Sequence, residues 1–327
     1  MFTPAQMIDA MQTVRAAMPP TPQQRWPLLD QRLGAAVWVK HENQTPVGAF
    51  KLRGGLVYFD ALRRREPLCR GVISATRGNH GQSVGFAARR HGLAASIVVP
   101  HGNSVEKNAA MRALGVELIE HGDDFQAARE HAARLAQERG LHMVPSFHAD
   151  LVRGVATGWI EFFEALAAAP EPAGLVFVPI GQGSGVCACA AARAHLGVGT
   201  RIIGVVSAHA TAYQQSFRAG RVVEAPVTTR LADGMACRVP DPEALSIMLR
   251  ELDDVIAVSD DEVAAAMRAL FADTHNVAEG AGAAALAGAL QQRERCAGRT
   301  IGLMLSGANV DSAVFARVLA GEPELTC

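Results

Sequence analysis

The stretch "HENQTPVGAFKLRGG", residues 41–55, decides how this chain is read. A single lysine, Lys51, stands between Phe50 and the pair Leu52-Arg53, with Gly48 before it and Gly54-Gly55 after. Two readings are open at this point: a surface charge in a loop, or a buried amine with chemistry to do.

Working outward, short apolar runs alternate with helix-period segments, the pattern of a parallel α/β architecture. Strands are predicted at "VWVKHE" (37–42), "GVISAT" (71–76), "ASIVVP" (95–100), "GVELIEH" (115–121), "GLVFVPIG" (174–181), "RIIGVVS" (201–207), "DVIAVS" (254–259) and "TIGLMLSG" (300–307). They read as buried on both faces. Helix ends are legible between them. "DDFQAAREHAARLAQERG" offers Asp123 or Asp124 as N-cap, Phe125, Ala128, Ala132 and Leu135 on one face, and Gly140 just past the end. "SDDEVAAAMRALF" gives Ser259 and Glu262 the spacing of a capping box, with Val263, Met267 and Leu270 behind it. No repeat or Gly/Ser-rich linker divides the chain, and the Pro-rich "AAAPEPAG" (167–174) marks a helix end before a strand. Two intertwined lobes are expected, with a ligand in the cleft at the carboxyl ends of the strands.

Composition narrows the class of partner. Of 327 residues, 49% are hydrophobic and 19% charged, with Lys+Arg 31 against Asp+Glu 32, which excludes a disordered chain or a polyelectrolyte. No basic run or aromatic platform points to nucleic acid, and no segment approaches the roughly 20 apolar residues of a membrane span. The start, "MFTPAQMIDAMQTVRAAMPP", lacks the pattern of a signal peptide. Cys69, Cys187, Cys189, Cys237, Cys296 and Cys327 are scattered without metal-ligand spacing, so a reduced, cytoplasmic setting and a small-molecule partner are expected. Cys187 and Cys189 read as small buried hydrophobes on different sides of a helix.

Three turns follow strands. "SATRGNHGQ" (74–82) leads into a helix, and its backbone N–H groups form an anion site suited to a carboxylate, with Asn79 and His80 as added donors. "PIGQGSGV" (179–186) repeats the strand, glycine turn and helix. It is no dinucleotide fingerprint, because the third glycine position is Val186, and no Walker loop, because no Gly-Lys-Ser/Thr follows; it suits one isolated phosphate. "LMLSGAN" (303–309) delivers Ser306 to a strand end. Together these are parts able to hold a phosphorylated aldehyde cofactor.

The order "AFKLRGG", "SATRGNHGQ", "PIGQGSGV", "LADGMA", "AEGAGAAAL", "LSGAN" resembles the fold-type II pyridoxal-phosphate enzymes, specifically the threonine/serine dehydratase group, from about Thr21 to Val310. The resemblance implies two open, twisted, mostly parallel sheets flanked by helices. It implies a large cofactor-binding domain at 1–45 and 151–327 and a small domain at 46–150 that closes over substrate. Lys51 matches the lysine that bonds the cofactor aldehyde, and Phe50 the aromatic packed on its ring. Asn79 matches the partner of the 3′ oxygen, and Gly181, Gln182, Gly183, Ser184 and Gly185 match the phosphate loop. Ser306 matches the hydroxyl facing the pyridine nitrogen; Gly234 and Glu279 line the far side of the ring. Ser74, Thr76, Gly78 and His80 lie in the loop that closes on the substrate carboxylate, where Arg77 offers a further cation.

The chemistry implied is loss of a β-hydroxyl from a threonine- or serine-type amino acid, giving a 2-oxo acid and ammonia. Lys51 must be a free amine to act, so a lowered pKa is expected from Phe50 and the apolar strands. A hydroxyl at Ser306 leaves the ring nitrogen neutral, which favours elimination over transamination. Departures from the family pattern bound the claim. Racemases of the group carry serine where this chain has Arg77, and bind a divalent cation where it has Ser207 and Tyr213, so racemisation should be weak and that metal site is not expected. Ala49 replaces the usual serine two before the lysine. Phenylserine and hydroxyaspartate remain open as substrates, as do racemisation or β-replacement on the same cofactor and a ligand sensor without catalysis. Only some 17 residues follow Asn309, so no amino-acid-sensing regulatory domain is expected, and the resemblance implies a dimer.

Overall fold

The computed structural model of the chain describes residues 2–169 and 171–322. Among the described residues ten strands form two sheets: β1 (Gln23–Arg25), β2 (Ala36–His41), β3 (Gly71–Ala75), β4 (Ala94–Val99), β5 (Glu117–Glu120), β6 (His142–Met143), β7 (Leu175–Pro179), β8 (Arg201–Ser207), β9 (Asp254–Val258) and β10 (Thr300–Leu305). The eight predicted strands are present within a residue or two. The sequence reading missed β1 and β6. β1 is a polar "QQR" edge strand, antiparallel to β2, and β6 is two residues long, so neither carries an apolar run of its own. One expectation is corrected: β5 is an edge strand with exposed ends, not a strand buried on both faces.

Strand order explains where a ligand can sit. The large sheet runs β1-β2-β10-β7-β8-β9, and every pair from β2 to β9 is parallel. The last strand in sequence is thereby inserted between the early β2 and the middle β7. Three segments distant in sequence therefore leave the same sheet edge side by side: the loop to Lys51 after β2, Ser306 after β10, and the glycine turn after β7. The small sheet, β5-β4-β3-β6, is wholly parallel and delivers residues 76–80 from β3. It is built from residues 71–143, whereas the large sheet draws on 23–41 and 175–305.

Helices behave as their ends announced. Asp124 caps the Phe125–Arg139 helix, which Gly140 closes in the left-handed region at φ 61°. Its Ala128, Ala132 and Leu135 are buried, while Phe125 is half-buried at a cavity wall. Ser259 and Glu262 form the capping box, with Val263, Met267 and Leu270 buried behind it. The Ala149–Ala167 helix ends where "AAAPEPAG" begins. Cys187 and Cys189 are both buried in the Ser184–Leu196 helix; Cys327 lies outside the described residues. Among the described residues no helix is long and apolar enough to cross a membrane.

The Lys51–Arg65 helix is fixed most firmly. It meets the Ala149–Ala167 helix so closely that a methyl on Gly154 would come within 2.2 Å of the Arg53 carbonyl oxygen. Arg53, fully buried, donates to Glu42 (Nε to Oε2, 2.8 Å) and to Glu161 (Nη2 to Oε2, 2.8 Å). Lys40, also fully buried, completes the network at 2.7 Å from Glu161.

Candidate active site

Lys51 is the first residue of its helix. The turn that leads to it is pinned to the end of β10: the Phe50 N–H donates to the Ser306 carbonyl (2.9 Å), and the Ala308 N–H to the Gly48 carbonyl (2.9 Å). Gly48 takes φ 68° there, and a methyl on it would meet Asn309 Oδ1 at 2.7 Å, so a side chain is excluded twice over. The Ser83 hydroxyl donates to the Lys51 carbonyl at 2.7 Å. Lys51 Nζ lies 4.4 Å from the Phe50 ring centroid. Burial lowers the Lys51 pKa below its ordinary value, with Glu279 and Asp233 opposing and Lys107 adding to the fall. Lys51 is thus a half-buried amine that faces a cavity, not a surface charge in a loop.

That cavity, of about 1270 Å³, lies between the strand ends of the two sheets. Its walls include Phe50, Lys51, Asn79, Glu279 and Ser306, together with residues 181–185 and Gly234. The glycine turn is built for close backbone approach. A methyl on Gly181 would fall 2.3 Å from the Gly234 carbonyl oxygen, and Gly183 takes φ 101° as the N-cap of the Ser184–Leu196 helix. That helix has no side-chain cap, which leaves its first N–H groups for an anion. The Tyr213 hydroxyl supports the turn, donating to the Gln182 carbonyl at 3.0 Å. A methyl on Gly185 would lie 3.6 Å from the Phe50 ring, so the anion site and the amine share one wall. Ser306 is buried, with a hydroxyl held only by a long 3.4 Å bond to the Ala281 carbonyl. An uncapped helix start, an uncharged hydroxyl and an amine of lowered pKa fit a flat, phosphorylated aldehyde.

A chain of polar groups closes the opposite side. Asn309 Nδ2 donates to Asn79 Oδ1 (2.8 Å), and Asn79 Nδ2 donates to Glu279 Oε1. Glu279 Oε2 lies 3.3 Å from Lys107 Nζ, which also pairs with Asp233 at 2.7 Å. Burial raises the Glu279 carboxyl above its ordinary value against the pull of Lys107. Burial opposes the Lys107 charge, but Asp233 and Glu279 overcome it and raise the ammonium pKa.

The 74–80 segment divides. Thr76, Arg77, Gly78 and His80 line the cavity, and Thr76 Oγ1 accepts from the Gly78 N–H at 3.0 Å. Ser74 is corrected: it is not among the lining residues, and its buried hydroxyl donates to the Val144 carbonyl at 2.9 Å, inside the small sheet. It sits on β3 before the strand end, where that bond holds its hydroxyl towards the segment that follows β6. Arg77 is exposed at the rim. The His80 pKa is pushed down to about 4 by burial and by Lys51, and its Nε2 has no hydrogen-bond partner among the described residues. Sequence reasoning missed Lys107, Asp233, Asn309 and Ser83. A signal existed for two of them: Asp233 precedes Gly234 in "LADGMA", and Lys107 is a cation at the positive end of a helix.

Residues 14–307 match the family model described as pyridoxal-phosphate dependent enzyme, and the chain belongs to that family. The fold is that of the fold-type II members, and the cofactor is pyridoxal 5′-phosphate. The chain is 36% identical over 283 residues to the L-threonine ammonia-lyase of Geobacter sulfurreducens, covering 86% of this chain and 69% of that protein. It is 30% identical over 319 residues to the L-threo-3-hydroxyaspartate ammonia-lyase of Saccharomyces cerevisiae, covering 97% and 96%. The crystal structure of a T.th. threonine deaminase superposes with a TM-score of 0.88 at 30% identity, covering 95% of this chain and 99% of that one.

Proposed function

We propose that this enzyme removes the β-hydroxyl of threonine or serine and releases a 2-oxo acid and ammonia. The reading rests on one observation: an amine of lowered pKa, an uncharged hydroxyl and an uncapped helix start stand together at the ends of three adjacent strands. When bound, pyridoxal 5′-phosphate supplies an aldehyde that takes up amino groups and a conjugated ring that accepts electron density from Cα. Residues 181–185 would hold its phosphate, Phe50 and Gly234 would flank its ring, and Asn79, which donates to Glu279, would meet its 3′ oxygen.

Lys51 carries the cofactor between turnovers, and its Nζ then takes the Cα proton; a lowered pKa keeps the lone pair available. Ser306 would face the ring nitrogen with an uncharged hydroxyl, a setting that favours loss of the β-hydroxyl over transamination; the hydroxyl leaves as water with the proton that Lys51 took from Cα. Hydrolysis of the resulting enamine takes one water back, so the net products are 2-oxo acid and ammonia. The N–H groups of Asn79 and His80 at the helix start, with Thr76 and neutral His80, bind the substrate carboxylate. The small domain, 46–150, closes over the large one, 1–45 and 151–327, once substrate is bound. The enzyme works as a cytoplasmic homodimer, in keeping with thiols that form no disulfide among the described residues.

A panel of β-hydroxy amino acids, both enantiomers of each, tests the reading by release of ammonia and 2-oxo acid. L-Threonine or L-serine should be turned over; inversion at Cα or exchange at Cβ without ammonia would overturn it. Hydroxyaspartate is the second reading, favoured by exposed Arg77 on the cavity wall, a cation for a second carboxylate.

A further inference from the structure

Lys107 breaks a local rule. It occupies the first turn of the Val105–Ala113 helix, where the backbone dipole disfavours a cation, yet its side chain is 7% exposed. Its ammonium is held from across the cleft by Asp233 (2.7 Å) and Glu279 (3.3 Å), both on the large-sheet side. Its stem supports the segment that faces substrate: a methyl on Gly78 would fall 2.4 Å from Lys107 Cδ.

The same helix turn is tied to the large lobe by exchanged caps. The Ser104 hydroxyl and the Glu106 N–H both donate to Asp311 Oδ1, the latter at 3.3 Å. In return the Ser312 N–H and hydroxyl donate to Glu106 Oε1, at 2.8 and 2.6 Å. Asp311 is the N-cap of the Ser312–Ala320 helix but makes no side-chain cap there; its carboxylate serves the other helix instead, and Glu106 serves its own. Each helix start supplies the anion that the other's orphan N–H groups require.

We propose that Lys107 is a positioning residue: seated between Asp233 and Glu279 and backed by the exchanged caps, it presets residues 76–80 against the large lobe for substrate to bind. The inference rests on the dehydratase reading for its kinetics, but not for its structural readout. Lys107 has no part in proton transfer here, and it acts through Gly78 and through Glu279, which in turn holds Asn79.

The test compares Lys107→Met, Lys107→Arg and Asp311→Asn holoenzymes. Lys107→Met should raise KM for the best substrate about tenfold while kcat changes less, and should speed hydrogen exchange of the 76–82 amides about tenfold. Lys107→Arg should restore most of both, since charge to two carboxylates is kept. Asp311→Asn, away from the cavity, should speed exchange of the same amides by a smaller factor. Unchanged exchange at 76–82 in Lys107→Met overturns the proposal, as does a fall in kcat with KM unmoved. If that variant does not fold, unchanged exchange in Asp311→Asn overturns it alone. Wild-type inactivity on every β-hydroxy amino acid would strike the dehydratase reading and leave the exchange result standing.

Discussion

Two cations sit on one helix turn, Arg53 fully buried and Lys51 half-buried, and they are opposites. Arg53 is saturated: Glu42 and Glu161 surround it, Thr21 and Thr157 fill the remaining positions, and its pKa rises despite burial. Lys51, two residues earlier, has no salt-bridge partner within reach among the described residues, and burial drives its pKa down. Paired charge holds the helix; unpaired charge is left free to react. The same desolvation acts on both, and the number of partners decides which outcome prevails.

The comparison breaks most sharply on exchange of roles. On the roles proposed for Lys51, as proton-transfer group and cofactor attachment, Lys51→Met should lower kcat at least about a thousandfold, the upper part of the range for loss of a proton-transfer group. In the cofactor-free protein the same change should leave stability unaltered or raised, since a poorly solvated amine without a partner is removed. Arg53→Met should do the reverse to stability. It strands the buried Glu42 carboxylate and leaves Glu161 with Lys40 alone, at a cost of about 3–5 kcal/mol. Urea unfolding of both apo-proteins checks this; equal losses would erase the distinction between the two cations.

A smaller effect follows from histidines that resemble Lys51 rather than Arg53. His80 and His41 are each pushed down to about 4, chiefly by burial. A group with a depressed folded pKa binds its proton in the unfolded chain first. Between about pH 4.5 and 6.5 the unfolded state therefore carries protons the folded state refuses, and stability rises with pH. Glu42 has the same sign at lower pH: burial would raise its pKa, but Arg53 overcomes this and depresses it, so its contribution is lost as pH falls below the ordinary carboxylate range. His80→Gln and His41→Gln should each flatten the slope of the urea midpoint in the upper window. An unchanged slope in both would mean the histidines are protonated when folded.

What was legible in the sequence follows the same division. Backbone devices were readable, because a glycine turn between a strand and a helix is local: residues 181–185 and the caps at Asp124 and Ser259 lie where the pattern put them. Partners were not. Glu161 meets Arg53 across 108 residues, and Asp233 meets Lys107 across 126, separations at which no periodicity speaks. Ser74 shows the limit from the other side. It stands in a recognisable motif, yet one step back along β3 places its hydroxyl on Val144 and out of the cavity. A motif fixes which residues are near the site, and a partner 70 residues away decides that Ser74 does not face it.

Arg77 gives the least effect and the finest discrimination. It has neither the closed partners of Arg53 nor the burial of Lys51: it is exposed on the cavity wall. Solvent screens such a cation, so Arg77→Ala should raise KM only severalfold, about 1 kcal/mol, and the effect should shrink at high salt. Which substrate feels it is the informative part. A guanidinium gripping the α-carboxylate penalises threonine and hydroxyaspartate alike, whereas one gripping a second carboxylate penalises hydroxyaspartate alone. Arg77→Lys should recover the charge but not the paired geometry, and so only part of the KM. Unchanged KM for both substrates would remove Arg77 from the site and leave the carboxylate to the amides of Asn79 and His80 and to the His80 ring.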